Sequence, residues 1–142
     1  GKKSWDYENI FTTVENLGLM EKVRFIDYIP TRDLPLLYNA AEVFVFPSLY
    51  EGFGLPPLES MKCGTPVIVS NRSSLPEIVG PLGLMVAPDD IKKICSLILK
   101  IVNDRSYRDQ LSEYYLQYAS NFSWEKCAQK TYDIYQELLY ND

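Results

Sequence analysis

Apolar positions along the chain change period several times, and each change predicts an element. From Tyr7 the residues Tyr7, Ile10, Phe11, Val14 and Leu17 recur at helical spacing and stop at Gly18, a residue suited to the position just past a helix end. The stretch "VRFIDYI" (23–29) then reads as a short strand closed by Pro30, "DLPLLYNAA" as a short helix, and "EVFVFPS" as an apolar strand ended by Pro47. After a glycine-rich turn the pattern predicts a helix from about Pro56 to Lys62, a third strand in "PVIVS", a short helix in "SSLPEIVG" and a fourth strand in "GLMVA". The strand runs are continuous instead of alternating, which implies burial on both faces and a parallel sheet. Beyond Pro88 three helical stripes follow: Ile91 to Val102, Tyr107 to Tyr118, and Trp124, Cys127, Ala128, Thr131 and Tyr135.

Strand and helix alternate through the first two thirds, so the expected fold class is α/β, a doubly wound parallel sheet with C-terminal helices. No stretch marks an internal linker. One domain is expected over 1–142, its α/β part at about 1–88 and a helical cap at about 89–142. A chain of 142 residues, 46% apolar and 23% charged, can bury a core, which excludes intrinsic disorder. Its net charge of −5 comes without any Lys/Arg block, so no nucleic-acid partner is expected. The absence of histidine excludes imidazole catalysis and His-based metal sites within these residues. Cys63, Cys95 and Cys127 lack the spacing of a zinc site or redox pair; two of them fall on apolar helical stripes, and all three read as structural thiols in a reducing compartment. No apolar run approaches the roughly 18 residues needed to span a bilayer, and the expected location is cytoplasmic.

The chemistry concentrates in "EGFGLPPLE" (51–59), which follows the end of the "VFVFPS" strand. In open α/β sheets ligands bind at the carboxyl ends of strands, near the point where strand order reverses. Gly52 and Gly54 permit positive φ and let a ligand approach without a Cβ in the way. Pro56 and Pro57 suit a first helical turn but have no N–H, so the free donors must lie around Phe53, Gly54 and Leu55. An uncapped helix start beside a glycine loop is a candidate phosphate site. Glu51 and Glu59 flank it, and carboxylates accept paired hydrogen bonds from vicinal hydroxyls. A nucleotide sugar carries an anion in its middle and a hydroxylated ring on each side, which accounts for both features together.

Plainer readings exist beside these. The helix dipole alone favours Glu59 by about 0.3 to 1 kcal/mol, whereas Glu51 closes an apolar strand with no such benefit. Ser74 three residues before Glu77 reads as a capping box, giving Glu77 a structural role. Ser73 is within reach of a ligand at the loop, Arg72 and Lys62 read as solvated, and the tyrosines from 107 to 118 read as a packing face.

The segment "FPSLYEGFGLPPLESMKCGTPVIVSNRSSLPEIVG" resembles the signature of the retaining glycosyltransferases of family 4, which have the GT-B fold. Their C-terminal nucleotide-binding domain holds two glutamates separated by seven residues, matched here by Glu51 and Glu59. The similarity runs from about Gly1 to Tyr140. It implies that Glu51 meets the donor sugar, as the catalytic position, with Gly52, Phe53 and Gly54 contributing backbone N–H groups. It implies that Leu55 meets the diphosphate, that Glu59 holds the ribose, and that the base lies near Tyr28, Ile29 and Pro30. The family works without a metal or other cofactor; the nucleotide-diphosphate sugar, UDP- or GDP-linked, is the substrate.

The same resemblance numbers "VRFID" as strand 3 and "VFVFPS" as strand 4 of an order in which strands 1 and 2 stand between them, and those two are not in this sequence. The family's basic diphosphate clamp and its acceptor-binding N-terminal domain are expected outside these residues too. Alone, the chain is expected to bind weakly and to transfer nothing. Because an open strand edge invites association, the expectation is a sheet completed by direct pairing of those two strands, by self-association or by a separate piece. Peripheral membrane association is compatible with the full enzyme. A nucleotide-sugar binding module without transfer, or a sugar-nucleotide epimerase, remain as other readings.

Overall fold

The computed structural model describes residues 7–140, with the side chains of residues 8–139; the side chain of Tyr7, first in the predicted stripe, lies outside the described residues. The chain divides into two compact units, residues 1–34 and 35–142. In the first, helix α1 spans Tyr7–Asn16. It ends as predicted at Gly18, where φ is +65°. The Gly18 N–H donates to Glu15 O and the Leu19 N–H to Val14 O, both at 2.9 Å, the paired bonds that close a helix on a left-handed residue. Val14 is buried and Phe11 stacks on Phe25 with ring centroids 3.9 Å apart.

Residues 23–29 are not in a strand among the described residues and lead to a 3-10 turn at Thr31–Asp33. A strand is defined by its neighbour. "VRFIDYI" has the composition of one, but no strand of the described residues pairs with it.

The second unit holds all but the first residue of α2 (Leu34–Ala40) and is built on three parallel strands, β1 (Phe44–Phe46), β2 (Val67–Ser70) and β3 (Leu84–Val86), in that spatial order. Phe44 stands opposite Val67, and Ile68 opposite Leu84. The β1–β2 connection carries α3 (Leu55–Lys62) and the β2–β3 connection α4 (Leu75–Val79). All four residues of β2 are buried, as its unbroken apolar run predicts. β1 has one neighbour among the described residues, so the expected direct pairing of "VRFID" with "VFVFPS" does not occur there. Its residues are half-buried.

Three C-terminal helices follow: α5 (Ile91–Asn103), α6 (Arg105–Ala119) and α7 (Trp124–Tyr140). Asp90 caps α5 by accepting from the Lys93 N–H at 3.0 Å, and Asp104 caps α6 by accepting from the Tyr107 N–H at 2.9 Å. The tyrosine face of α6 packs as expected and also forms hydrogen bonds. The fully buried Tyr115 donates its hydroxyl to Val67 O and accepts from the Leu84 N–H, each at 2.9 Å, tying β2 to β3 from the helix side. Tyr114 donates to Val79 O and Tyr118 to Glu77 O, so the same helix holds α4.

α7 forms where its period predicts, but Trp124, Tyr135, Leu138 and Leu139 are exposed. Cys95 and Cys127 are exposed as well, against the expectation of thiols buried on apolar stripes; Cys63 is half-buried, and none of the three is in a disulfide. An apolar stripe states which face of a helix would be covered, not that the chain supplies the cover.

Burial pushes the Tyr38 hydroxyl up to about 12, reinforced by its hydrogen bond to Glu59, and burial with the neighbouring Tyr114 raises Tyr115 further. Both groups hold their proton more tightly folded than unfolded, so their stabilisation is complete below the ordinary tyrosine value near pH 10 and is lost as the pH rises through the folded values. Stability measured by urea unfolding should therefore fall from about pH 10 upward, and less steeply in a Tyr38→Phe variant. An identical slope in that variant would remove Tyr38 from this account.

Candidate functional site

The loop after β1 is held from two sides. Its glycine-rich segment leads into α3 through Gly54, the residue before the first helical turn, one position earlier than a helix start at Pro56 predicts. Gly54 has φ +106°, and a Cβ there would lie 2.8 Å from Leu75 Cδ2, so both conformation and space require glycine. No side chain caps the helix. The N–H groups of Gly52, Phe53, Gly54 and Leu55 have no protein acceptor among the described residues. Four consecutive free donors at one helix start suit an anion, with the helix dipole in the same sense.

Glu51 is half-buried at the entrance to this loop. The Ser48 hydroxyl donates to Glu51 Oε1 at 2.8 Å, and Ser73 Oγ accepts from the Glu51 N–H at 3.0 Å. Ser73 lies in the loop after β2 with φ +49°, a left-handed conformation uncommon for serine. Beside it, the Ser74 hydroxyl donates to Phe53 O at 2.7 Å and to Glu51 O at 3.2 Å. This corrects the capping-box reading. Ser74 stands before α4 but makes no side-chain cap: its backbone is already helical, with φ −79° and ψ −13°, and its Oγ is turned to the carbonyls of the glycine loop, away from the helix N–H groups.

Glu59, one turn into α3, is exposed, and its Oε2 accepts from the Tyr38 hydroxyl at 3.1 Å. Tyr38 is fixed in turn: its ring packs edge-on against Phe44 at 5.5 Å and its carbonyl accepts from the Thr65 hydroxyl at 2.7 Å. The carboxylate is thus held on one oxygen and open on the other. The nearby Cys63 thiol is pushed up by burial and by the Glu59 charge, away from thiolate chemistry.

The loop thus joins Glu51 and the predicted backbone donors to Ser73, whereas Glu59 sits on α3 with Tyr38. Tyr28, Ile29 and Pro30 belong to the first unit, where Tyr28 is exposed, Ile29 half-buried, and Pro30 opens the 3-10 turn. Arg72 is exposed. Lys62 is also exposed, but its Nζ donates to Phe122 O at 2.8 Å, so it secures α3 instead of standing free. The sequence reading missed Ser48, Ser74 and Tyr38 as site neighbours. Their available signal was positional: a serine just after one strand end, a pair of serines after the next, and a tyrosine before β1. Among the described residues no three Cys, Asp or Glu side chains group as a metal ligand set would.

A family profile for "Glycosyl transferases group 1" matches residues 3–117. The O-antigen chain mannosyltransferase B of Escherichia coli is 44% identical over 138 residues, covering 97% of this chain and 36% of that protein. The chain thus spans about a third of the length of that relative. Among solved structures, sucrose-phosphate synthase from Thermosynechococcus elongatus superposes with a TM-score of 0.85 at 33% identity, over 95% of this chain and 35% of that one. HepE from Anabaena, solved in complex with UDP, has a TM-score of 0.84 at 22% identity over 92% of this chain and 36% of that one, a likeness of fold. With the profile covering most of its length, and the parallel sheet and glycine loop in place, the chain belongs to the group 1 glycosyl transferases.

Proposed function

We propose that these residues bind a nucleotide-diphosphate sugar, UDP- or GDP-linked, and that within a longer enzyme they serve a metal-independent, retaining transfer of the sugar to a glycan, lipid-linked or small-molecule acceptor. The observation that carries this reading is the run of four N–H groups from Gly52 to Leu55 with no acceptor among the described residues, bracketed by the carboxylates of Glu51 and Glu59. The diphosphate lies against the amides, Glu51 accepts from hydroxyls of the transferred sugar, and the open oxygen of Glu59 accepts from the ribose. Tyr28, Ile29 and Pro30 are the proposed neighbours of the base. The bond from the anomeric carbon to phosphate breaks, the acceptor hydroxyl adds on the same face, and its proton passes to the departing phosphate oxygen. No side chain need act as nucleophile; these residues position groups and place charge.

The acceptor site and the basic groups facing the diphosphate lie, on this reading, in the part of the enzyme beyond these 142 residues. No described helix is long and apolar enough to cross a membrane, and the cytoplasm is the proposed location.

Thermal unfolding with a panel of UDP- and GDP-sugars tests the reading. At least one is expected to raise the melting temperature, and a panel without any effect would overturn donor binding. Glu59→Ala should then weaken the effective donor by about 1.5 to 3 kcal/mol, the worth of a hydrogen bond to a charged group. An unchanged dissociation constant by titration calorimetry would leave Glu59 a structural residue.

A further inference from the structure

We infer that Ser74, with Ser73 and Ser48, is a positioning residue that aims the free N–H groups of Gly52 and Gly54 at the ligand's diphosphate; this rests on the donor-site reading above. The inference comes from the planarity of the peptide unit. All peptide bonds of the described residues are trans, and in a trans unit the C=O of one residue and the N–H of the next point in opposite directions. Fixing a carbonyl therefore fixes where the following amide points.

Ser74 Oγ holds the carbonyls of Phe53 and Glu51. The amides that follow them are those of Gly54 and Gly52, both without a protein acceptor among the described residues. One hydroxyl thus fixes the direction of two donors, Gly52 exposed and Gly54 buried, that no described protein group accepts from. The preceding unit is fixed as well: Ser73 accepts from the Glu51 N–H, and Ser48 Oγ lies 3.2 Å from the carbonyl on the other side of that unit, Tyr50 O, while also reaching the Glu51 carboxylate. Three serines from two loops consequently set the peptide planes at 50–51, 51–52 and 53–54. Glycine gives this loop wide conformational freedom, and the serines take it away before the ligand arrives. Preorganised donors cost no reorganisation when charge must be held.

The test uses the intact chain, ¹⁵N-labelled, with UDP, GDP and the nucleosides uridine and guanosine as probes. In the wild type, the better diphosphate should move the Gly52 and Gly54 amide resonances downfield. Ser74→Ala should lower affinity for that diphosphate about tenfold and remove those shifts, with affinity for the nucleoside unchanged; one net hydrogen bond is worth about that factor. Ser74→Thr, which keeps the hydroxyl, should restore both. A general loss of structure would lower nucleoside and diphosphate affinity together and would not be rescued by threonine, and that outcome overturns the positioning role. Equal diphosphate affinity in Ser74→Ala and wild type overturns it too while leaving donor binding intact. Failure of the wild type to bind any probe overturns the donor-site reading, and this inference with it.

Discussion

Glu51→Ala is expected to lower sugar transfer by the enzyme that carries these residues by about two to three orders of magnitude, the scale of removing one preorganised electrostatic partner from an active site. The fold should remain. Glu51 is half-buried and its carboxylate meets one protein donor, Ser48. Truncating it leaves no buried group unpaired that water does not reach, so the melting temperature should change by only a few degrees. Glu51→Gln separates charge from contact: it retains an acceptor for Ser48 and for a sugar hydroxyl, and should fall between the two. Initial rates with a donor that binds the wild type decide the matter. Turnover of Glu51→Ala within a few-fold of wild type would end the assignment of this carboxylate to the reacting sugar.

Tyr115 governs stability in the way Glu51 is expected to govern transfer. Its ring is wholly buried in the core, and its hydroxyl joins Val67 O on β2 to the Leu84 N–H on β3. Tyr115→Ala removes an aromatic side chain from a close-packed interior and should cost about 3 to 5 kcal/mol. Tyr115→Phe keeps the packing and strands one carbonyl and one N–H, at about 1 to 3 kcal/mol. Against a total of about 5 to 15 kcal/mol, the first variant is expected to lose a large share of its stability. Urea titrations followed by circular dichroism measure both. A Phe variant as stable as wild type would mean that water replaces the hydroxyl between the strands.

Much of this was legible in the sequence because it depends on local pattern. The unbroken apolar runs of β1, β2 and β3 sit in a parallel sheet, Gly18 stops α1, and Gly54 stands where the glycine turn meets the prolines. What failed depends on partners far along the chain. "VRFIDYI" has the residues of a strand and no neighbouring strand among the described residues. Ser74 has the spacing of a capping box, yet its hydroxyl is turned to Phe53 O, 21 residues earlier, and not to the helix N–H groups. Cys95 and Cys127 lie on helices with apolar stripes and are nevertheless exposed, Cys95 beside residues such as Ile94 and Ile98 that pack on the core. The glutamates and the free amides could be named from their order in the sequence. Tyr38 beside Glu59 could not, because only the fold brings residues 21 positions apart into one hydrogen bond.

The serine contacts between the two loops also tie their motions together. Neither the segment around Glu51 to Phe53 nor that around Ser73 and Ser74 lies within a helix or strand, and each satisfies backbone or hydroxyl groups of the other. Release of one leaves the other with broken bonds, so the two open as a single cooperative unit above a sheet that stays folded. Amide exchange at Glu51 then reports the state of residues 22 positions away. A ligand seated on the glycine amides would slow exchange in the second loop without touching it.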